Sequence, residues 1–134
     1  MIFKGEETIL LVDDADMVLE VGRKILEALD YTVFVARSGK EAISVYQDNK
    51  EKIAMIILDM VMPGMGGAET YERLKEMNPD SKVLLSSGYS IDGRATELLK
   101  CGCNGFIQKP FNIEKLSHKI REILDKQKLR QHRF

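Results

Sequence analysis

Five short apolar runs recur along the chain, and after each one apolar residues return every three or four positions. The runs are Thr8–Val12, Thr32–Ala36, Ile53–Leu58, Lys82–Ser86 and Gly105–Gln108. The first, third and fourth are apolar almost throughout, which suits strands covered on both faces, the condition of a parallel sheet flanked by helices. Between the runs, Val18, Val21, Ile25 and Leu29 follow helical spacing, as do Ile113, Leu116, Ile120 and Ile123 with Leu124. Ala42, Val45 and Tyr46 mark a second helix, Gly67 to Met77 a third that stops at Asn78-Pro79, and Gly93–Lys100 a short fourth. Five strand–helix repeats in 134 residues predict a single α/β domain, a doubly wound (βα)5 fold with a five-stranded parallel sheet. Right-handed crossovers with helices on both faces favour the flavodoxin-like strand order 2-1-3-4-5.

Charge and cysteine content exclude several classes of partner. The chain carries 20 Lys+Arg against 21 Asp+Glu, a formal net charge of −1, so it has no general attraction for nucleic acid or an anionic membrane. No apolar run approaches the ~20 residues of a membrane span, and Met1–Gly5 is too short and too soon charged for a signal peptide. Cys101 and Cys103 are too close together for an unstrained disulfide, and His118 and His132 lack the spacing to complete a zinc site. A reducing, cytoplasmic setting is expected. Residues 1–5 read as an N-terminal extension and 6–126 as the domain. The basic tail 127–134 reads as a helix end or linker rather than a DNA-binding module.

In an open parallel sheet, ligands bind beyond the carboxyl ends of the strands, where the strand order reverses. The residues at those ends are Asp13 and Asp14 after the first run, Asp59 after the third, Ser87 after the fourth, and Lys109 with Pro110 after the fifth. Each alone has a plainer reading: a helix cap for Asp13 or Asp14, a turn for Asp59, a loop start for Ser87 and Gly88, a solvated charge for Lys109. Together they put three carboxylates at one sheet edge, which repel unless a cation joins them. Hard oxygen donors in a partly solvated site favour Mg²⁺. A lysine and a hydroxyl beside the metal would hold the remaining oxygens of a phosphoryl group, and Asp59 is the best-placed nucleophile. Met60, Met62 and Met65 lie close by, but thioethers are poor partners for hard carboxylate sites and read as packing.

Val12-Asp13-Asp14, Leu58-Asp59-Met60-Val61-Met62-Pro63-Gly64, Leu85-Ser86-Ser87-Gly88 and Lys109-Pro110-Phe111 stand in an order and spacing that resembles the receiver domain of two-component response regulators. The resemblance implies that Asp59 is the phosphoacceptor, charged by a histidine kinase or histidine phosphotransfer protein. It implies that Asp13, Asp14 and Asp59, with the backbone carbonyl of Val61, hold Mg²⁺, and that Lys109 binds the phosphoryl group across a cis bond to Pro110. Ser87 and Phe106 would form the conformational switch, with a downstream protein bound on the face around Phe106. Met60, Gly88, Tyr89 and Pro110 flank these positions. Gly88 leaves the site open to a docking protein, while Val61 and Tyr89 are expected to shield the acyl phosphate from water. Gly66 stands where such sequences often carry an acidic or polar residue, so a looser turn is expected.

A receiver is a signalling domain rather than an enzyme in the ordinary sense. The competing reading, an aspartyl phosphohydrolase of the haloacid dehalogenase type, fits less well: those enzymes resemble Asp-x-Asp at the nucleophile, whereas Met60-Val61 follows Asp59. Glu7–Asp14 and Leu85–Ser90 look particularly like receivers of hybrid sensor kinases, so an origin in such a kinase is expected over a stand-alone regulator.

Overall fold

The computed structural model describes residues 1–88, 93–100 and 102–132, with backbone alone at 93–95 and 127–132. Strands and helices alternate without exception: β1 Thr8–Val12, α1 Asp16–Ala28, β2 Thr32–Ala36, α2 Gly39–Asn49, β3 Ile53–Asp59, α3 Gly67–Met77, β4 Val83–Ser87, α4 Gly93–Lys100, β5 Gly105–Gln108 and α5 Ile113–His132. The five strands form one parallel sheet in the order β2-β1-β3-β4-β5. This is the flavodoxin-like topology expected from the strand–helix alternation.

Successive residues of a strand face opposite ways, so each central strand feeds two cores. Leu10, Val12, Ile56, Leu58, Val83 and Leu85 pack on one face with Ala42 and Tyr46 of α2, Tyr71 and Leu74 of α3, and Leu98 of α4. Ile9, Leu11, Met55, Ile57 and Leu84 pack on the other with Leu19 and Leu26 of α1 and Leu116, Ile120 and Ile123 of α5. Burial on both faces is the physical reason these strands read as unbroken apolar runs.

The ends of several elements are fixed by identifiable groups. Ser38 caps α2, its hydroxyl accepting the Glu41 N–H at 3.1 Å. At the end of α1, Asp30 takes a positive φ of 72°. Its N–H reaches the Glu27 carbonyl at 2.9 Å and the Tyr31 N–H reaches the Leu26 carbonyl at 3.0 Å, a Schellman closure.

The structure corrects one helical face. Of Val18, Val21, Ile25 and Leu29, to which spacing pointed, Leu29 is buried and Ile25 packs against the same core, but Val21 is exposed, and the buried residues within α1 are Leu19, Gly22 and Leu26. Gly22 is the reason. A Cβ there would lie 2.8 Å from the Leu11 side chain and 3.3 Å from Phe111, so the helix approaches the sheet through a residue with no hydrophobic signal of its own.

Candidate functional site

The carboxyl ends of β1, β3, β4 and β5 bring the expected residues to one edge of the sheet. Asp13 follows β1, and its N–H is tied to the Ala36 carbonyl at 3.1 Å. Asp59 is the last residue of β3 and Ser87 the last of β4, one position further into the ladder than the apolar runs suggested. The pairing explains the extension: Asp59 stands opposite Ser86, and the Met60 N–H continues the ladder to the Ser86 carbonyl at 2.9 Å. The Lys109 N–H reaches the Ser87 carbonyl at 2.7 Å, which fixes the start of the β5–α5 loop against the end of β4.

Asp13 and Asp59 are almost fully buried, at 1% and 2% exposure, whereas Asp14 is open to solvent. The three carboxylates each place an oxygen within 4.8 Å of the others, close enough to share one cation. The Lys109 ammonium bridges the buried pair, 2.8 Å from Asp13 Oδ2 and 3.3 Å from Asp59 Oδ1. Neither aspartate caps a helix by its side chain. Asp13 Oδ1 instead accepts the Ala15 N–H at 2.9 Å, and Asp59 Oδ1 the Val61 N–H at 3.3 Å.

Burial pushes the Asp59 carboxyl up, the Asp13 charge pushes it further, and Lys109 only partly offsets them, leaving it raised from 3.8 to about 6. For Lys109 burial opposes the ammonium. The Asp13 hydrogen bond and the charges of Asp59 and Asp13 outweigh it and hold the amine above its ordinary value. Three carboxylates balanced by one ammonium are short of positive charge, and their oxygens are the hard donors that a small divalent cation prefers.

The flanking residues differ in exposure. Met60 is buried, Val61 is 60% exposed above the site, and Gly88 borders open space, with nothing within 4 Å of where its Cβ would be. Phe106 is half-buried on β5, and Lys109–Pro110 is a cis peptide bond. Tyr89, singled out with Val61 as a shield, lies outside the described residues, as does Cys101; Cys103 is buried.

The sequence of residues 9–121 matches the family model described as the response regulator receiver domain. The chain belongs to the response regulator receiver family. Among curated relatives, it is 36% identical over 123 residues to the sensor kinase CckA of Brucella abortus, covering 92% of this chain but 13% of that protein. It is 31% identical to the chemotaxis protein CheY of Listeria monocytogenes, covering 81% of this chain and 90% of that protein. A receiver domain protein from Clostridium thermocellum superposes with a TM-score of 0.86 at 27% identity, covering 92% of this chain and 98% of that one. This receiver therefore spans a small fraction of one curated relative and nearly the whole of another. Receivers are signalling domains that bind Mg²⁺ at an acidic pocket and work with histidine kinases or phosphotransfer proteins. The acidic cluster of this receiver is compatible with Mg²⁺.

One feature of the receiver was not legible from motifs. Met17, Val18 and Val21 of α1 line a groove with Lys109, Pro110 and Phe111, and Met17 is 79% exposed. The signal was present as the i, i+4 pair Met17 and Val21, but helical spacing alone assigns such a pair to the core.

Proposed function

We propose that Asp59 accepts a phosphoryl group from a phosphohistidine of a histidine kinase or histidine phosphotransfer protein. One observation carries this reading: Asp13, Asp14 and Asp59 share a cation-sized site while Lys109 contacts the two buried carboxylates directly. An Asp59 carboxylate oxygen attacks phosphorus in line, the P–N bond to the donor imidazole breaks, and the imidazole leaves with the bonding pair and takes up a proton. Asp13, Asp14, Asp59 and the Val61 carbonyl would hold Mg²⁺, which would neutralise charge on the phosphoryl oxygens. Lys109 binds one of those oxygens. Ser87 offers its hydroxyl to another, and Phe106 follows that movement, altering the face to which a downstream protein binds.

The groove beside Lys109 supports docking of the donor, because Met17, Val21 and Phe111 place apolar surface next to the acceptor pocket. Val61, on the exposed flank of the site, shields the acyl phosphate. Residues 6–126 form the receiver body and work in the cytoplasm. The similarity to a sensor kinase over 92% of this chain favours an origin in a hybrid kinase, in which the phosphoryl group passes on to a phosphotransfer protein.

Incubation with a small phosphodonor and Mg²⁺, followed by intact mass measurement, tests the assignment. The wild type gains one phosphoryl group and Asp59→Ala gains none. Label that persists in Asp59→Ala would sink it.

A further inference from the structure

Met1–Gly5 runs from the end of α1 across to α5, and its contacts are specific. The Gly5 N–H bonds to the Leu29 carbonyl at 3.0 Å. A Cβ on Gly5 would fall 2.3 Å from Tyr31 Cε1, so the segment passes this point as glycine. The Phe3 N–H donates to Ser117 Oγ at 2.5 Å, and the Ser117 hydroxyl donates back to the Phe3 carbonyl at 3.0 Å. Ser117 is fully buried. One residue on, His118 Nε2 lies 2.6 Å from the Met1 carbonyl, and its ring centroid is 5.1 Å from that of Phe3. The segment thus grips the second turn of α5.

That turn is close to the site along the chain. Asn112 opens α5, its side-chain oxygen accepting the Glu114 N–H at 2.8 Å and its carbonyl the Leu116 N–H at 2.9 Å. Only Pro110 and Phe111 separate Asn112 from Lys109, and Phe111 lies against Gly22, where an added Cβ would be 3.3 Å away. A short, packed link has little slack, so a shift of Lys109 reaches the start of α5. His118 also lines a groove of about 350 Å³ together with Phe106, so the same grip orients one wall of the surface around that aromatic residue.

We propose that Met1–Phe3 is an intramolecular strap that fixes the first turns of α5 and so opposes the movement of Lys109 that loading of the Asp59 site requires. The proposal rests on the phosphoacceptor reading above. The Lys109 ammonium is held by the Asp13 and Asp59 carboxylates. A phosphoryl group on Asp59 presents new oxygens and draws Lys109 away from the bare carboxylate. A strap that pins the first turns of α5 resists that movement. By linkage, loading must weaken the strap by the same factor that the strap weakens loading.

Beryllofluoride with Mg²⁺ is the probe, titrated calorimetrically into the full chain, a variant lacking residues 1–4, and Ser117→Ala in the full chain. Both variants are expected to bind about three- to tenfold more tightly than the full chain, the range one or two net hydrogen bonds can supply. Amide exchange in Leu116–Ile120 is expected to be faster in both unloaded variants, and in the loaded full chain, than in the unloaded full chain. Equal or weaker binding by the folded variants overturns the strap, as does exchange in α5 that ignores loading. If the full chain itself does not bind beryllofluoride with Mg²⁺, the phosphoacceptor reading fails instead. Should one variant not fold, the other carries the comparison.

Discussion

An ionised Asp59 faces the buried Asp13 carboxylate, and the Lys109 ammonium offsets the pair only in part. The folded chain keeps the Asp59 proton up to about pH 6, whereas the carboxyl ordinarily releases it near 3.8. Native protein therefore binds more protons than unfolded protein between those values, and stability falls as pH rises through them. Asp59→Asn removes this penalty. In the presence of a chelator we expect Asp59→Asn to be more stable than wild type at pH 7 by about 1–3 kcal/mol, a two-unit shift discounted for relaxation. The two should converge below about pH 4, where the carboxyl is protonated in both states. Urea melts across this range check the sign. Mg²⁺ should narrow the gap, because a cation favours the ionised form.

At the scale of elements, two adjacent glycines at the start of α3 serve opposite roles. A Cβ on Gly67 would meet Met60 Cα at 2.6 Å and the Asp59 carbonyl at 2.7 Å, both backbone atoms that cannot swing aside. Gly67→Ala is expected to cost about 1–3 kcal/mol, the range for overpacking, and to displace the loop that carries Val61. Gly66 has nothing within 4 Å of its Cβ position and sits at the N-cap with an ordinary φ of −73°. Gly66→Ser should be neutral or gain a few tenths of a kcal/mol by supplying the missing cap. Urea midpoints of the two variants should move in different directions, or one should not move at all. The looser turn expected from the sequence at Gly66 is thus an uncapped helix start, braced by the Thr70 hydroxyl on the Gly66 carbonyl at 2.8 Å.

Across the whole molecule, legibility followed burial. The sheet could be read because β1, β3 and β4 are covered on both faces and turn polar only at their ends. The site could be read because Asp13, Asp59, Ser87 and Lys109 each stand at a strand end that the topology brings to one edge. What could not be read depends on groups whose chemistry is silent in a sequence. Gly22 contributes an absence of atoms, the Met1–Phe3 contacts are mostly backbone, and exposed Met17 and Val21 look like core. Opposite the site, Arg121 joins α5 to the start of β1 through Glu7 at 2.5 Å, and its guanidinium lies over the Tyr31 ring. Arg121→Ala leaves a largely buried Glu7 unpaired and should cost about 2–4 kcal/mol in urea unfolding, while Glu7→Gln with Arg121→Met should recover part of that loss.

The Lys109 bridge also divides the molecule's ionic contacts into two populations. Pairs such as Lys24–Glu20 and Arg37–Asp16 are more than half exposed, so added electrolyte screens them. Lys109 and its two aspartates are largely buried, so bulk electrolyte screens these contacts less than it screens the exposed pairs. A concentrated salt wash strips the surface of its charge pairs and leaves the pocket's own counterion in place. A modest acidification reaches the pocket first, by returning a proton to Asp59.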